Sequence, residues 1–100
     1  MKTIFDYIVV GAGSAGCAVA NRLSKDPNNQ VLLIEAGRAS HPVTRLPASF
    51  ALLIDNPLAN WRYRSEPEES TGNRKIPIPR GKLLGGSSAI NGLVYVRGNK

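Results

Sequence analysis

The chain has 100 residues, of which 42% are apolar and 20% charged, a balance that excludes a disordered tail and leaves room for one domain. Its formal charge is +6, concentrated beyond residue 40, where nine basic side chains face four acidic ones. The basic residues there, including Arg62, Arg64, Arg74, Lys75, Arg80, Lys82 and Arg97, form neither a run nor a helical stripe, so no nucleic-acid partner is expected.

Residues 4–10, Ile-Phe-Asp-Tyr-Ile-Val-Val, are β-branched and aromatic and stop at Gly11, which predicts a buried strand of the parallel type. Residues 14–25 predict a helix with Ala15, Val19 and Leu23 on one face. Asp26-Pro27-Asn28-Asn29 ends it, because proline cannot continue a helix and asparagine favours a turn. Residues 30–35 predict a second buried strand, completing a βαβ unit with a right-handed crossover. Beyond Gly37 the pattern loosens. Residues 47–54 predict a short helix with Phe50, Leu53 and Ile54 on one face, residues 61–64 a strand, and residues 68–73 a turn. Ile76-Pro77-Ile78-Pro79 is extended, and its prolines bar it from the centre of a sheet. Residues 80–86 form a second glycine-containing loop, 87–91 one or two helical turns, and 93–96 a closing strand.

The first glycine run is Gly11-Ala12-Gly13-Ser14-Ala15-Gly16. Such a run is common in turns, but here it follows a buried strand, opens a helix, and is answered by Glu35 at the end of the next strand. Each part has a task. Gly11 permits the tight turn, Gly13 lets a pyrophosphate approach the backbone, and Gly16 lets the helix pack on the sheet. The helix N-terminus offers unpaired N–H groups and a partial positive charge. Glu35 can accept hydrogen bonds from adenosine ribose hydroxyls and would repel a 2′-phosphate, which disfavours NADP. The motif by itself does not separate FAD from NAD.

The second run is Arg80-Gly81-Lys82-Leu83-Leu84-Gly85-Gly86-Ser87-Ser88-Ala89-Ile90-Asn91. Its glycines expose backbone, and Ser87 and Ser88 can cap a following helix. On spacing alone it fits a second phosphate- or flavin-contacting loop as well as a plain helix start. Residues 79–98 closely resemble the signature of the glucose–methanol–choline (GMC) oxidoreductases. Asp6–Cys17, Glu35-Ala36-Gly37, Asn60-Trp61 and Glu66-Pro67 resemble the same family in order and spacing, most of all its bacterial alcohol and choline dehydrogenase branch.

That resemblance implies an α/β, Rossmann-like FAD-binding domain: a βαβ unit plus irregular flavin-contacting loops. It implies oxidation of an alcohol by hydride transfer to FAD. Carried over, Gly11, Gly13, Ser14, Ala15 and Gly16 hold the pyrophosphate and Glu35 the ribose. Leu84, Ser88, Asn91, Gly92, Leu93 and Val94 lie along the flavin. Ile90 stands where some relatives attach the flavin through a histidine, so non-covalent FAD is expected. The resemblance supplies no catalytic residue and no metal ligand within these residues.

The family's catalytic histidine and substrate-binding domain have no counterpart here. Residues 1–100 therefore read as the N-terminal part of an FAD-binding domain, an incomplete fragment, inactive by itself. Rival readings are an NAD-dependent dehydrogenase fragment and a non-enzymatic binding module or remnant. His41, in a polar loop beside Pro42, reads as a surface residue. Cys17 is the only cysteine, which rules out an intrachain disulfide and reads as a small buried thiol in a reducing, cytoplasmic setting. Met1-Lys2-Thr3 followed by Asp6 does not read as a signal peptide, and no apolar stretch is long enough to span a bilayer.

Overall fold

The computed structural model describes residues 4–99. Met1-Lys2-Thr3, on which part of the signal-peptide reading rests, lies outside them. The first strand, β1 (Tyr7–Val10), runs parallel to β2 (Val31–Ile34), with Tyr7 opposite Val31 and Val10 opposite Ile34. Asp6 clamps the start of the pair. Its N–H donates to Gln30 O at 2.9 Å, and its Oδ2 accepts the Gln30 N–H at 2.7 Å.

Helix α1 (Ser14–Leu23) connects the strands and packs across both. It ends at Ser24, short of the expected Lys25, because side chains take over its end. Asn29 Nδ2 donates to the Leu23 carbonyl at 3.0 Å, and Asp26 Oδ1 accepts the Asn28 N–H at 2.9 Å. The inward face differs from the expected one. Gly16, Cys17, Ala20 and Leu23 are half-buried, while Ala15 and Val19 are exposed. Leu23 keeps its expected place, and Gly16 sets the rest of the face, because its missing Cβ lets the helix lie against the Gly11 carbonyl and Val9.

The two strands are not buried as their composition predicts. Val9 faces α1, but Ile8 is 59% and Val10 81% exposed. Side chains alternate along a strand, and α1 covers one face only. Among the described residues no layer covers the other.

The closed core lies in the second half. Leu53, Ala59, Leu83 and Ile90 form the buried cluster, with Val43 and Ala89 packed against it. Leu53 comes from a short helix, α2 (Phe50–Leu53), preceded by a 3-10 turn over Pro47–Ser49. Strand β3 spans only Tyr63–Arg64 and pairs antiparallel with β4 (Pro77–Ile78), each an edge strand as the prolines require. The expected start at Trp61 fails because Arg62 takes φ +58°. The turn between them is a 3-10 turn over Glu69–Thr71. It closes with Gly72 and Asn73 left-handed, their N–H groups bonding Glu69 O and Glu68 O at 2.9 Å each. Residues 86–89 form a last 3-10 turn. Residues 93–96 are exposed and form no strand, since no partner strand lies beside them among the described residues.

Asn60 organises this half. It is 3% exposed. Its Oδ1 accepts the N–H groups of Arg62 and Arg80 at 2.8 and 2.9 Å, and its Nδ2 donates to the Ile54 carbonyl. One side chain thus satisfies three main-chain groups from three segments. Burial differences predict unequal mutational costs: Leu83→Ala should lose about 2–5 kcal/mol of unfolding free energy. Val10→Ala should lose less than about 1 kcal/mol, both variants being read by urea titration.

Candidate cofactor-binding site

Gly11 leaves β1 at φ +96°, a left-handed conformation that glycine enters without strain, and its N–H bonds Ile34 O at 2.7 Å. The chain then turns into α1. Cys17 N–H bonds the Gly13 carbonyl at 2.9 Å and opens the helical ladder. The amides of Ser14, Ala15 and Gly16 precede that ladder and form the open end of the helix. Gly13, the N-cap residue, makes no side-chain cap. A Cβ built on it would meet no heavy atom within 4 Å beyond its chain neighbours. The positive end of the helix dipole thus has clear space for an anion. Gly16 does a different job. A Cβ there would run into the Gly11 carbonyl and stand 3.5 Å from Val9 Cγ1.

Glu35 closes this turn from β2. Its Oε2 accepts the Ala12 N–H at 2.8 Å and its Oε1 the Gly37 N–H at 2.9 Å. The carboxylate therefore ties the first loop to the segment after β2, a structural role its strand-end position did not reveal. Each oxygen keeps a lone pair for a further donor such as a ribose hydroxyl.

The second glycine loop lies directly against the first. Gly85 N–H bonds Ala12 O at 2.7 Å, Leu84 N–H bonds Arg38 O at 2.9 Å, and Gly13 and Gly85 form a parallel bridge. A Cβ on Gly86 would stand 2.9 Å from Gly13 Cα, and one on Gly37 would run into the Lys82 carbonyl. The serines do not cap a helix as expected. Ser88 Oγ donates to Gly85 O at 2.6 Å and Ser87 Oγ accepts the Gly81 N–H at 3.1 Å, so both staple their own loop.

Two clefts result. The first, about 470 Å³, is lined by Gly11, Gly13 and Glu35 from the βαβ unit and by Gly86 and Ser87 from the second loop. The second, about 240 Å³, is lined by Phe50, Ser88, Asn91 and Leu93 with the 44–47 segment. Asn91 Oδ1 accepts the Leu93 N–H at 3.1 Å, and Leu93 stands at φ +58°. Of the expected site residues, Gly11, Gly13 and Glu35 meet in the first cleft, and Ser14, Ala15 and Gly16 form the helix end that begins at Gly13. Ser88, Asn91 and Leu93 meet in the second cleft, while Leu84, Gly92 and Val94 are exposed and line neither.

Trp61, Tyr63 and Arg80 also line the first cleft; Trp61 and Arg80 stand in runs that carry the family resemblance, but the sequence reading gave none of the three a cofactor contact. For Tyr63 the signal was its spacing from Trp61, since alternate strand residues share a face. His41 is half-buried rather than superficial: Nδ1 accepts the Val43 N–H at 3.5 Å, and Nε2 lies 3.3 Å from Asn56 Nδ2. It lines neither cleft. Cys17 is half-buried, its Sγ 3.2 Å from the Ala12 carbonyl. Among the described residues no helix is long and apolar enough to cross a membrane.

The sequence model of the GMC oxidoreductases matches residues 5–100. The alcohol dehydrogenase [acceptor] of Pseudomonas putida is 49% identical over 97% of this chain. The oxygen-dependent choline dehydrogenase of Rhizobium etli is 52% identical over 94% of it. The chain spans only 18% and 17% of those two proteins. Among solved structures, the pyridoxine 4-oxidase of Mesorbium loti superposes with a TM-score of 0.85 at 42% identity, covering 95% of this chain and 19% of that one.

The contrast between two glycines yields a paired prediction. Gly13→Ala should leave thermal stability nearly unchanged, because its Cβ meets open space, yet weaken FAD binding about tenfold or more by blocking the ligand's approach. Gly16→Ala should lose about 1–3 kcal/mol of stability in a urea titration, since the clash is with backbone.

Proposed function

The chain belongs to the GMC oxidoreductase family, whose cofactor is FAD, and we propose that its 100 residues are the part of such an enzyme that grips FAD across two adjoining clefts. The observation that carries this is the junction of Gly13, Gly85 and Gly86: bare backbone from both loops meets beside a free helix end and the Glu35 carboxylate. The residues present fit the cofactor. The Ser14, Ala15 and Gly16 amides would receive the pyrophosphate, and Glu35 would accept from the adenosine ribose.

The 3-10 turn over Gly86–Ala89 separates the clefts, Ser87 lining one and Ser88 the other. A dinucleotide passing over that turn has its ADP half in the first cleft and its flavin beside Ser88, Asn91 and Leu93. Leu84, Gly92 and Val94 would border the flavin from outside the cleft. Ile90, 4% exposed in the core cluster, has no nucleophile with which to bond a flavin, which supports non-covalent FAD.

Bound FAD supplies the hydride acceptor for oxidation of an alcohol, the reaction class we assign to the longer enzyme. Removing that hydride also requires a base for the hydroxyl proton. The residues lining the second cleft include no histidine and no carboxylate. The chain itself is accordingly a cofactor-binding portion, residues 1–100 of an FAD-binding domain, with the substrate domain and base supplied elsewhere. The single Cys17 supports a cytoplasmic location, and the dispersed basic residues support no role for nucleic acid.

The test is equilibrium dialysis of the chain against FAD, NAD and NADP, followed by an alcohol panel with dye reduction. FAD should be retained and the two nicotinamide cofactors not. Dye reduction should stay at the rate of free flavin. Preferential retention of NAD would replace the flavin reading with a nicotinamide one, and turnover well above free flavin would show that a base is present after all.

A further inference from the structure

A third cleft, about 400 Å³, opens beside the β3–β4 pair and has the size of a small-molecule site. It shares Trp61 and Tyr63 with the first cleft, but neither Glu35 nor any glycine lines it. Its apolar lining includes Ile54, Ile78 and the two prolines that flank Ile78. Its charged lining is Asp55, Arg62 and Arg64. Cofactor binding uses none of these three.

Among the described residues these charges do not satisfy one another. Asp55 forms an ion pair with neither arginine, and none of the three side chains makes a hydrogen bond. Arg74 and Arg80 show the alternative: Arg74 Nε donates to Thr71 O and Arg80 Nη1 to Pro79 O, at 2.7 Å each. The main chains of Arg62 and Arg64 are nonetheless fixed. Arg62 stands at φ +58°, uncommon for a non-glycine residue, because the buried Asn60 accepts its N–H at 2.8 Å. Arg64 is held opposite Pro77 in the strand pair. Asn60 itself lines the cleft, and its Nδ2 carries two hydrogens, of which one serves the Ile54 carbonyl. The second has no partner among the described residues.

We propose that this third cleft binds a small aliphatic amino acid, its carboxylate held by Arg62, Arg64 and the spare Asn60 N–H and its ammonium by Asp55. The lining chooses that chemistry. Two guanidiniums offer forked donors that match a carboxylate. A plain anion would also meet the Asp55 carboxylate and be repelled, whereas a zwitterion answers both signs of charge. Ile54, Ile78 and the flanking prolines suit an aliphatic side chain, which loses water on entering. The three charged residues are exposed, so each ion pair is screened and contributes modestly. The expected dissociation constant is accordingly on the order of 1 mM. No glycine of either loop takes part, so the site stands or falls independently of the FAD reading.

Trp61 lines the cleft and is the only tryptophan, so its fluorescence reports occupancy. The whole chain is titrated with L-leucine, with 4-methylpentanoate, which lacks the ammonium, with 3-methylbutylamine, which lacks the carboxylate, and with inorganic phosphate. Leucine should change the emission saturably, and each of the other three should bind more weakly by about threefold to tenfold or not at all. Arg64→Gln and Asp55→Asn should each weaken leucine binding by a similar factor, and Arg64→Lys, which keeps the charge without the fork, should weaken it less. Asp55→Asn should also narrow the preference for leucine over 4-methylpentanoate, a change that a merely structural role would not produce. Urea midpoints of the variants should match that of the unsubstituted chain, and Gly13→Ala should leave leucine binding intact. A chain that gives no saturable response to leucine overturns the proposal. So does one that takes phosphate or 4-methylpentanoate as tightly as leucine, which would mark a plain anion site. Leucine binding indifferent to both Arg64→Gln and Asp55→Asn would place the ligand elsewhere and overturn it as well.

Discussion

Bare backbone meeting bare backbone is the contact on which the rest of this structure depends. Gly85 N–H reaches the Ala12 carbonyl at 2.7 Å, and a Cβ on Gly86 would press on Gly13 Cα. A side chain on Gly86 would hold the two loops apart. With none, the second loop lies against the first and against the segment that follows β2. A cleft then opens with a helix N-terminus and a strand-end carboxylate in it. The glycines therefore serve the fold and the ligand together: Gly16 and Gly86 bring chain segments close, while Gly13 leaves space unfilled.

Two polar side chains secure that arrangement from either side. Glu35 accepts amides from the first loop and from Gly37, and Asn60 accepts amides from β3's approach and from the start of the second loop. Hydrogen bonds of this kind contribute modestly one at a time, but leaving such amides buried without partners costs more than the bonds yield. The closed hydrophobic cluster is small, built around Leu53, Ala59, Leu83 and Ile90. Directional polar contacts consequently matter more to loop placement here than they would in a domain with a large core.

The first half shows the converse. Its strands have the composition of a fully covered parallel sheet, yet Ile8 and Val10 stand largely open, and so do Val94, Tyr95 and Val96 in the last segment. Apolar composition records what a strand is suited to, whereas burial requires another layer to be laid over it. These open surfaces accord with a chain that spans under a fifth of the curated relatives it matches.

Local chemistry made several features legible in the sequence alone. β-branched residues ending at a glycine announced β1, the Gly11–Gly16 spacing announced the turn into α1, and the prolines kept residues 76–79 out of any sheet centre. The resemblance to the GMC oxidoreductases rested on the same short runs. Tertiary structure decided what no local pattern encodes. It turned Gly16, Cys17 and Ala20 inward in place of Ala15 and Val19, because the missing Cβ of Gly16 lets that side of the helix approach the end of β1. It bent the chain at Arg62, because Asn60 holds that amide from a distance. It denied residues 93–96 a strand for want of a partner, and it brought Trp61 and Tyr63 to the cleft of Gly13 and Glu35. Each of these depends on which segments end up side by side, and long-range hydrogen bonds and missing Cβ atoms set that only once the chain has closed on itself.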